Sequence, residues 1–158
     1  MIRPILRLGD EALYTVSEAV TQDEVPALLE TVRDLHDTLL DFRAGHSAGR
    51  AIAAPQIGVP KRLIYVFIDK PIVLFNPSLC FPDDETMIVL DDCMSFPHLL
   101  VRVQRFRRCN VTYSDENWQT LHWALDGDLS ELIQHEYDHL DGILATMRAV
   151  DNKAFIAK

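Results

Sequence analysis

The stretch Gln134-His135-Glu136-Tyr137-Asp138-His139 decides how the rest of the chain is read. Two histidines four residues apart on a helix project from one face, one turn above the other. Their imidazole nitrogens can then share a metal ion, with Glu136 held beside it to move protons to and from water. This is the H-E-x-x-H arrangement of metal-dependent hydrolases. The pattern arises by accident in roughly one chain in a hundred, so its surroundings must support it. Asp126-Gly127-Asp128 precedes it, Asp128 and Glu131 have the spacing of a capping signature, and Gly142 follows at a plausible helix stop. Leu129, Leu132, Ile133, Leu140 and Ile143 put apolar groups on most sides, so the helix is expected to be buried. The competing reading is two histidines satisfied by hydrogen bonds in the core.

Working outward, 158 residues point to one domain, 1–158, large enough to bury a core without disulfides. A formal charge of -9 argues against nucleic-acid binding, which needs clustered Lys and Arg. The basic run from Arg102 to Arg108 alternates with Val103 and Phe106 and reads as the solvated face of a strand. Three cysteines and no secretory apolar segment suggest a reducing compartment, and no apolar run reaches membrane-spanning length. The expectation is a soluble cytoplasmic protein.

Thr21-Gln22-Asp23-Glu24 is a capping-box pattern, with Pro26 tolerated in the first turn of a helix. Val25, Leu28, Leu29, Val32, Leu35, Leu39 and Leu40 then recur at helical spacing to about Gly45, an amphipathic N-terminal helix. His36 within it reads as structural or partly exposed, and not as a ligand. Strands are expected at Arg62–Asp69, Pro71–Asn76, Thr86–Leu90, Leu99–Phe106, Cys109–Ser114 and Trp118–Leu125, and Lys153–Lys158 as a frayed end. Helix, strands, then the HExxH helix predict an α+β domain with mixed or antiparallel sheets around that central helix.

A catalytic site of this kind needs a third protein ligand and an open position for water. Cys80 reads as a small core residue and Cys109 as a buried or half-buried thiol. Cys93 follows Asp91-Asp92 where a strand gives way to a turn. A thiolate there is disfavoured without a cation beside it. Residue context by itself leaves the choice among the three cysteines open.

The chain resembles the peptide deformylase family. Gly49-Arg50-Ala51-Ile52-Ala53-Ala54-Pro55-Gln56 is similar to G-x-G-x-A-A-x-Q, Asp91-Asp92-Cys93-Met94-Ser95 to E-G-C-L-S, and Gln134 to Leu140 to Q-H-E-x-D-H-L. Phe75-Asn76-Pro77 and Val103-Gln104-Arg105 fall where similar family pieces do. The resemblance covers essentially the whole chain. Departures are Ala51 for the second glycine, Asp91 for the glutamate and Asp92 for the glycine before the cysteine.

The resemblance implies Cys93, His135 and His139 as metal ligands and Glu136 as general base and then acid. Gln56 and the backbone N–H of Met94 become donors to the developing oxyanion. Asp138 becomes a candidate for orienting a histidine. Gly49, Ala51, Ile52 and Asp92 would contact substrate. The implied cofactor is one divalent ion, Fe(II) in the cell, with Zn(II) or Ni(II) in isolated protein. The implied substrate is an N-formylmethionyl peptide or nascent chain, which brings proximity to the ribosome without direct nucleic-acid contact. That peptide would add a strand to a sheet edge, with the methionine side chain in an apolar pocket. Two other functions fit the same residues: a metal amidase of this fold with another formyl or acyl substrate, and a non-catalytic, metal-stabilised module that binds N-termini.

Overall fold

Leu63-Ile64-Tyr65-Val66-Phe67 is apolar throughout, and a strand of that kind has to be covered on both faces. In the computed structural model, which describes residues 1–158, it forms β2 (Leu63–Phe67) inside a five-stranded sheet. The strand order is β1 (Ala51–Ala53), β2, β3 (Pro71–Cys80), β6 (Arg108–Ser114), β7 (Thr120–Asp126), with every pair antiparallel. Side chains alternate across the sheet. Leu63 and Tyr65 pack with Leu28, Val32, Leu35 and Leu39 of α1 (Val25–His46). Ile64 and Val66 pack with Leu132, Ile133 and Leu140 of α2 (Asp128–Leu140), the HExxH helix.

A three-stranded antiparallel sheet, β4 (Thr86–Asp91), β5 (Leu99–Phe106) and β8 (Phe155–Ala157), completes the fold. Its inner residues Val101 and Val103 join Leu13, Cys93, Phe96 and Leu144 in a third core cluster. The α+β reading around a buried HExxH helix therefore holds, and the sheets are antiparallel rather than mixed; the one parallel pairing is an isolated Glu18–Lys61 bridge. No helix is long and apolar enough to cross a membrane.

Several expectations need correction. Lys153–Lys158 does not fray: Ala154 is buried, its carbonyl accepts from the Arg102 N–H at 2.8 Å, and the following residues form β8 on β5. Cys80 is exposed at the end of β3, not in the core. Asp128 does not cap α2, whose N-cap is Gly127 with no side-chain hydrogen bond, because Glu131 is engaged elsewhere. β1 carries no strand signal in the sequence, since three residues are too few to show a period. β3 runs past Asn76 and Pro77 through a register shift between Phe75 and Ser78, with Asn76 at φ 49. Asparagine tolerates that left-handed conformation, and its side chain binds both the N–H and the carbonyl of Val20 at 2.8 Å.

Candidate metal centre and its cleft

α2 carries His135 and His139 on one face, ring centroids 5.0 Å apart, and both are buried. Cys93 reaches them from the turn after β4. Its Sγ lies 3.4 Å from His139 Nε2, and ligand atoms of Cys93, His135 and His139 all fall within 4.8 Å of one another. A tetrahedral ion bonded at about 2.3 Å to sulfur and about 2.1 Å to nitrogen spaces those donors roughly 3.6 Å apart. The donor set thus fits a single metal ion, and Cys93, open on the sequence, is the cysteine that the fold brings to the histidines.

Glu136 is 4 % exposed, and its Oε2 has no hydrogen-bond partner in the protein. Burial pushes its carboxyl up to about 7, the range suited to accepting and returning a proton near neutrality. Burial alone would lower both histidines. For His135, Asp91 and the Cys93 sulfur outweigh it and hold the ring well above its ordinary value. For His139, the charge of His135 adds to burial and keeps it well below.

Gln56 follows β1 in the short 3-10 turn Ala54–Ile57 and is buried. Its Oε1 accepts from the Ala53 N–H at 3.0 Å, which turns Nε2 toward Ser95 Oγ (3.1 Å) and Cys93 Sγ (3.6 Å). The Met94 N–H is engaged by no other group of the protein. Both expected donors therefore flank the cysteine. Gly49 sits at φ +116, where an added Cβ would press on Leu39 and Phe42 at 3.3 Å, so this position needs glycine. Ala51, by contrast, lies in β1 with no positive φ and pairs with Val66. Ile52 points away from the cleft into the α1 core, which corrects its expected substrate contact: its side chain alternates to the other face of the strand. Asp92 is at the cleft, exposed, with the Lys158 ammonium 3.3 Å away.

Behind the histidines runs a chain of charges that the sequence did not reveal. Asp91 Oδ1 lies 2.9 Å from His135 Nδ1, close but poorly aligned for a hydrogen bond. Asp91 Oδ2 accepts from Arg105 at 2.8 Å, and Arg105 donates onward to Asp138 at 2.7 Å. Arg148 closes on Asp138 with two contacts of 2.6 and 2.9 Å. Burial opposes ionisation of Asp91, yet His135 and Arg105 bring its pKa down to about 2. Arg105 is 4 % exposed, so it does not belong to a solvated face as expected. Its signal was present: in β5 it shares the inward side with Val101 and Val103 by two-residue alternation.

Residues 2–155 match the family described as Polypeptide deformylase. The chain belongs to that family. A peptide deformylase of Treponema pallidum is 37 % identical over 147 residues, 92 % of this chain and 86 % of the relative. The crystal structure of the peptide deformylase from Thermotoga maritima superposes with a TM-score of 0.85 at 29 % identity, covering 96 % of this chain and 99 % of that one. The Legionella pneumophila enzyme superposes with a TM-score of 0.87 at 32 % identity, covering 98 % and 89 %. The family's activity is metal-dependent removal of the N-formyl group from nascent peptides, and this chain is a hydrolase of that family.

Proposed function

We propose that residues 1–158 act as one domain that hydrolyses the N-formyl amide of peptide N-termini, releasing formate, with Cys93, His135 and His139 holding one divalent ion. The observation that carries this reading is the convergence of those three buried donors beside a Glu136 carboxyl with an unpartnered oxygen. When bound, the ion supplies the Lewis acidity that makes water nucleophilic at neutral pH. Glu136 takes the water's proton and returns it to the amide nitrogen as the C–N bond breaks. The amine departs with that proton and formate with the new oxygen. Gln56 Nε2 and the Met94 N–H donate to the formyl oxygen as it gains charge, and fixed donors of this kind each contribute about 3 kcal/mol to lowering such barriers. Gly49 and Ala51 border the peptide, which adds to the free edge of β1, while Asp92 stands at the cleft mouth.

The resident metal in the cell is Fe(II), with Zn(II) and Ni(II) able to occupy the same donors. The protein works in the cytoplasm, in proximity to the ribosome but without direct contact to nucleic acid, in keeping with its charge of -9. Formate release is the test. Fe(II)-loaded protein, kept anaerobic, is expected to release formate from formylated tripeptides over many turnovers. Glu136→Gln should retain the metal and lose at least about a hundredfold in rate. Metal-loaded protein that binds peptide and releases no formate would instead establish a binding module.

A further inference from the structure

The cleft that reaches Glu136 and Gln56 has a volume of about 440 Å³, and one wall of it is an ion pair. Glu131 lies one helical turn before His135, so its carboxylate opens onto the same space. Arg50 reaches it from the residue before β1, with Nη2 2.9 Å from Glu131 Oε1. The pair is half-sheltered, with side chains 41 % and 15 % exposed. It spans the gap between the β1 edge and the HExxH helix, where an added peptide strand would lie. A methionine side chain in an apolar pocket, expected from the family resemblance, does not match this wall.

Resting on the deformylase reading above, we infer that the Arg50–Glu131 pair selects substrates whose formylated residue carries an uncharged hydrogen-bonding side chain, of the carboxamide class, in preference to a thioether. The pair is neutral as a whole. The contact between them uses one guanidinium nitrogen and one carboxylate oxygen, and both residues line the cleft, which leaves further donors and an acceptor there. A thioether laid over the pair strips its water and returns no comparable hydrogen bond. A carboxylate or ammonium brings an unmatched charge against one member of the pair while being desolvated itself. A carboxamide accepts from Arg50 and donates to Glu131 at once, leaving neither short of a partner.

The test uses metal-loaded protein and formyl-X-Ala-Ser peptides with X as Gln, Met, Glu or Lys. Gln is expected to exceed Met by about tenfold or more in kcat/KM, with Glu and Lys below Gln. The double variant Arg50→Val with Glu131→Ile should reverse the order and put Met first. The deformylated Gln-Ala-Ser and Met-Ala-Ser, titrated calorimetrically into the metal-loaded protein, should differ in Kd in the same direction. Formate release with Met equal to or ahead of Gln, or with Glu or Lys ahead, overturns the inference and leaves the deformylase reading standing. Absence of formate from every peptide removes the deformylase reading, and the calorimetric order of the two tripeptides still decides the selectivity of the pair.

Discussion

Arg105 concentrates the structural risk of this molecule in one side chain. It is buried between Asp91 and Asp138, and it is the link through which the surface residue Arg148 connects to the carboxylate beside His135. Replacing Arg105 by leucine leaves two buried acids facing a gap, and breaking a buried pair from one side costs about 3–5 kcal/mol. Arg105→Leu is therefore expected to lower unfolding stability by about that amount in urea titrations of the metal-free protein. The loss should be smaller at low pH, where the stranded carboxylates can take up protons instead of remaining charged. Wild-type stability in the variant would mean that Asp91 and Asp138 are held by His135 and Arg148 alone. The shortened Asp91 still reaches both His135 and Arg105, so the missing methylene relative to the family's glutamate has not broken the connection.

At the scale of elements, the start of α1 shows how a local signal becomes a tertiary contact. Glu24 accepts from the Thr21 N–H at 3.0 Å, the capping contact expected from the sequence, and its other oxygen lies 2.7 Å from the Lys61 ammonium. Lys61 first, then Thr21, draw the Glu24 carboxyl down from 4.5 to about 2. The folded-state pKa is depressed, so the contribution is complete above about pH 4.5 and is lost as pH falls toward about 2, where the unfolded chain protonates first. Glu24→Gln should unfold at lower temperature than the parent near neutral pH, and the difference should close across that acid window. A difference that stays constant down to about pH 2 would show that ionisation of Glu24 does not matter to the fold. The capping pattern before α2 misled, because the Glu131 carboxylate crosses to Arg50 and does not return to its own helix start.

For the whole molecule, the C-terminal segment ties the small sheet to the cleft. Phe155, Ile156 and Ala157 pair with Val101, Leu100 and Leu99, and Lys158 spans from the His98 carbonyl to Asp92. Proteases need a locally unfolded segment to cut. Trypsin is therefore expected to leave the Lys153–Ala154 bond intact for as long as the folded core survives, as read by intact-mass measurement. Early loss of residues 154–158 would mean that the segment frays after all. Its pairing was invisible in the sequence because a strand of three residues gains its stability from the partner it meets, here β5, some fifty positions earlier in the chain.

The sequence by itself determined what depends on local spacing. His135, Glu136 and His139 share a helix face by the geometry of one turn, α1 follows from apolar periodicity, and the long strands follow from runs of β-branched and aromatic residues. Cys93 and Gln56 were assigned only through family resemblance, since nothing near them in the chain marks them as neighbours of α2. Tertiary structure decided the rest. It brought Cys93 Sγ to 3.4 Å from His139, buried Arg105 between two acids, and set Arg50 against Glu131 on the wall of the cleft. Charges of opposite sign that are distant in sequence attract strongly only once folding has brought them together and lowered the dielectric around them, and no local pattern records that encounter.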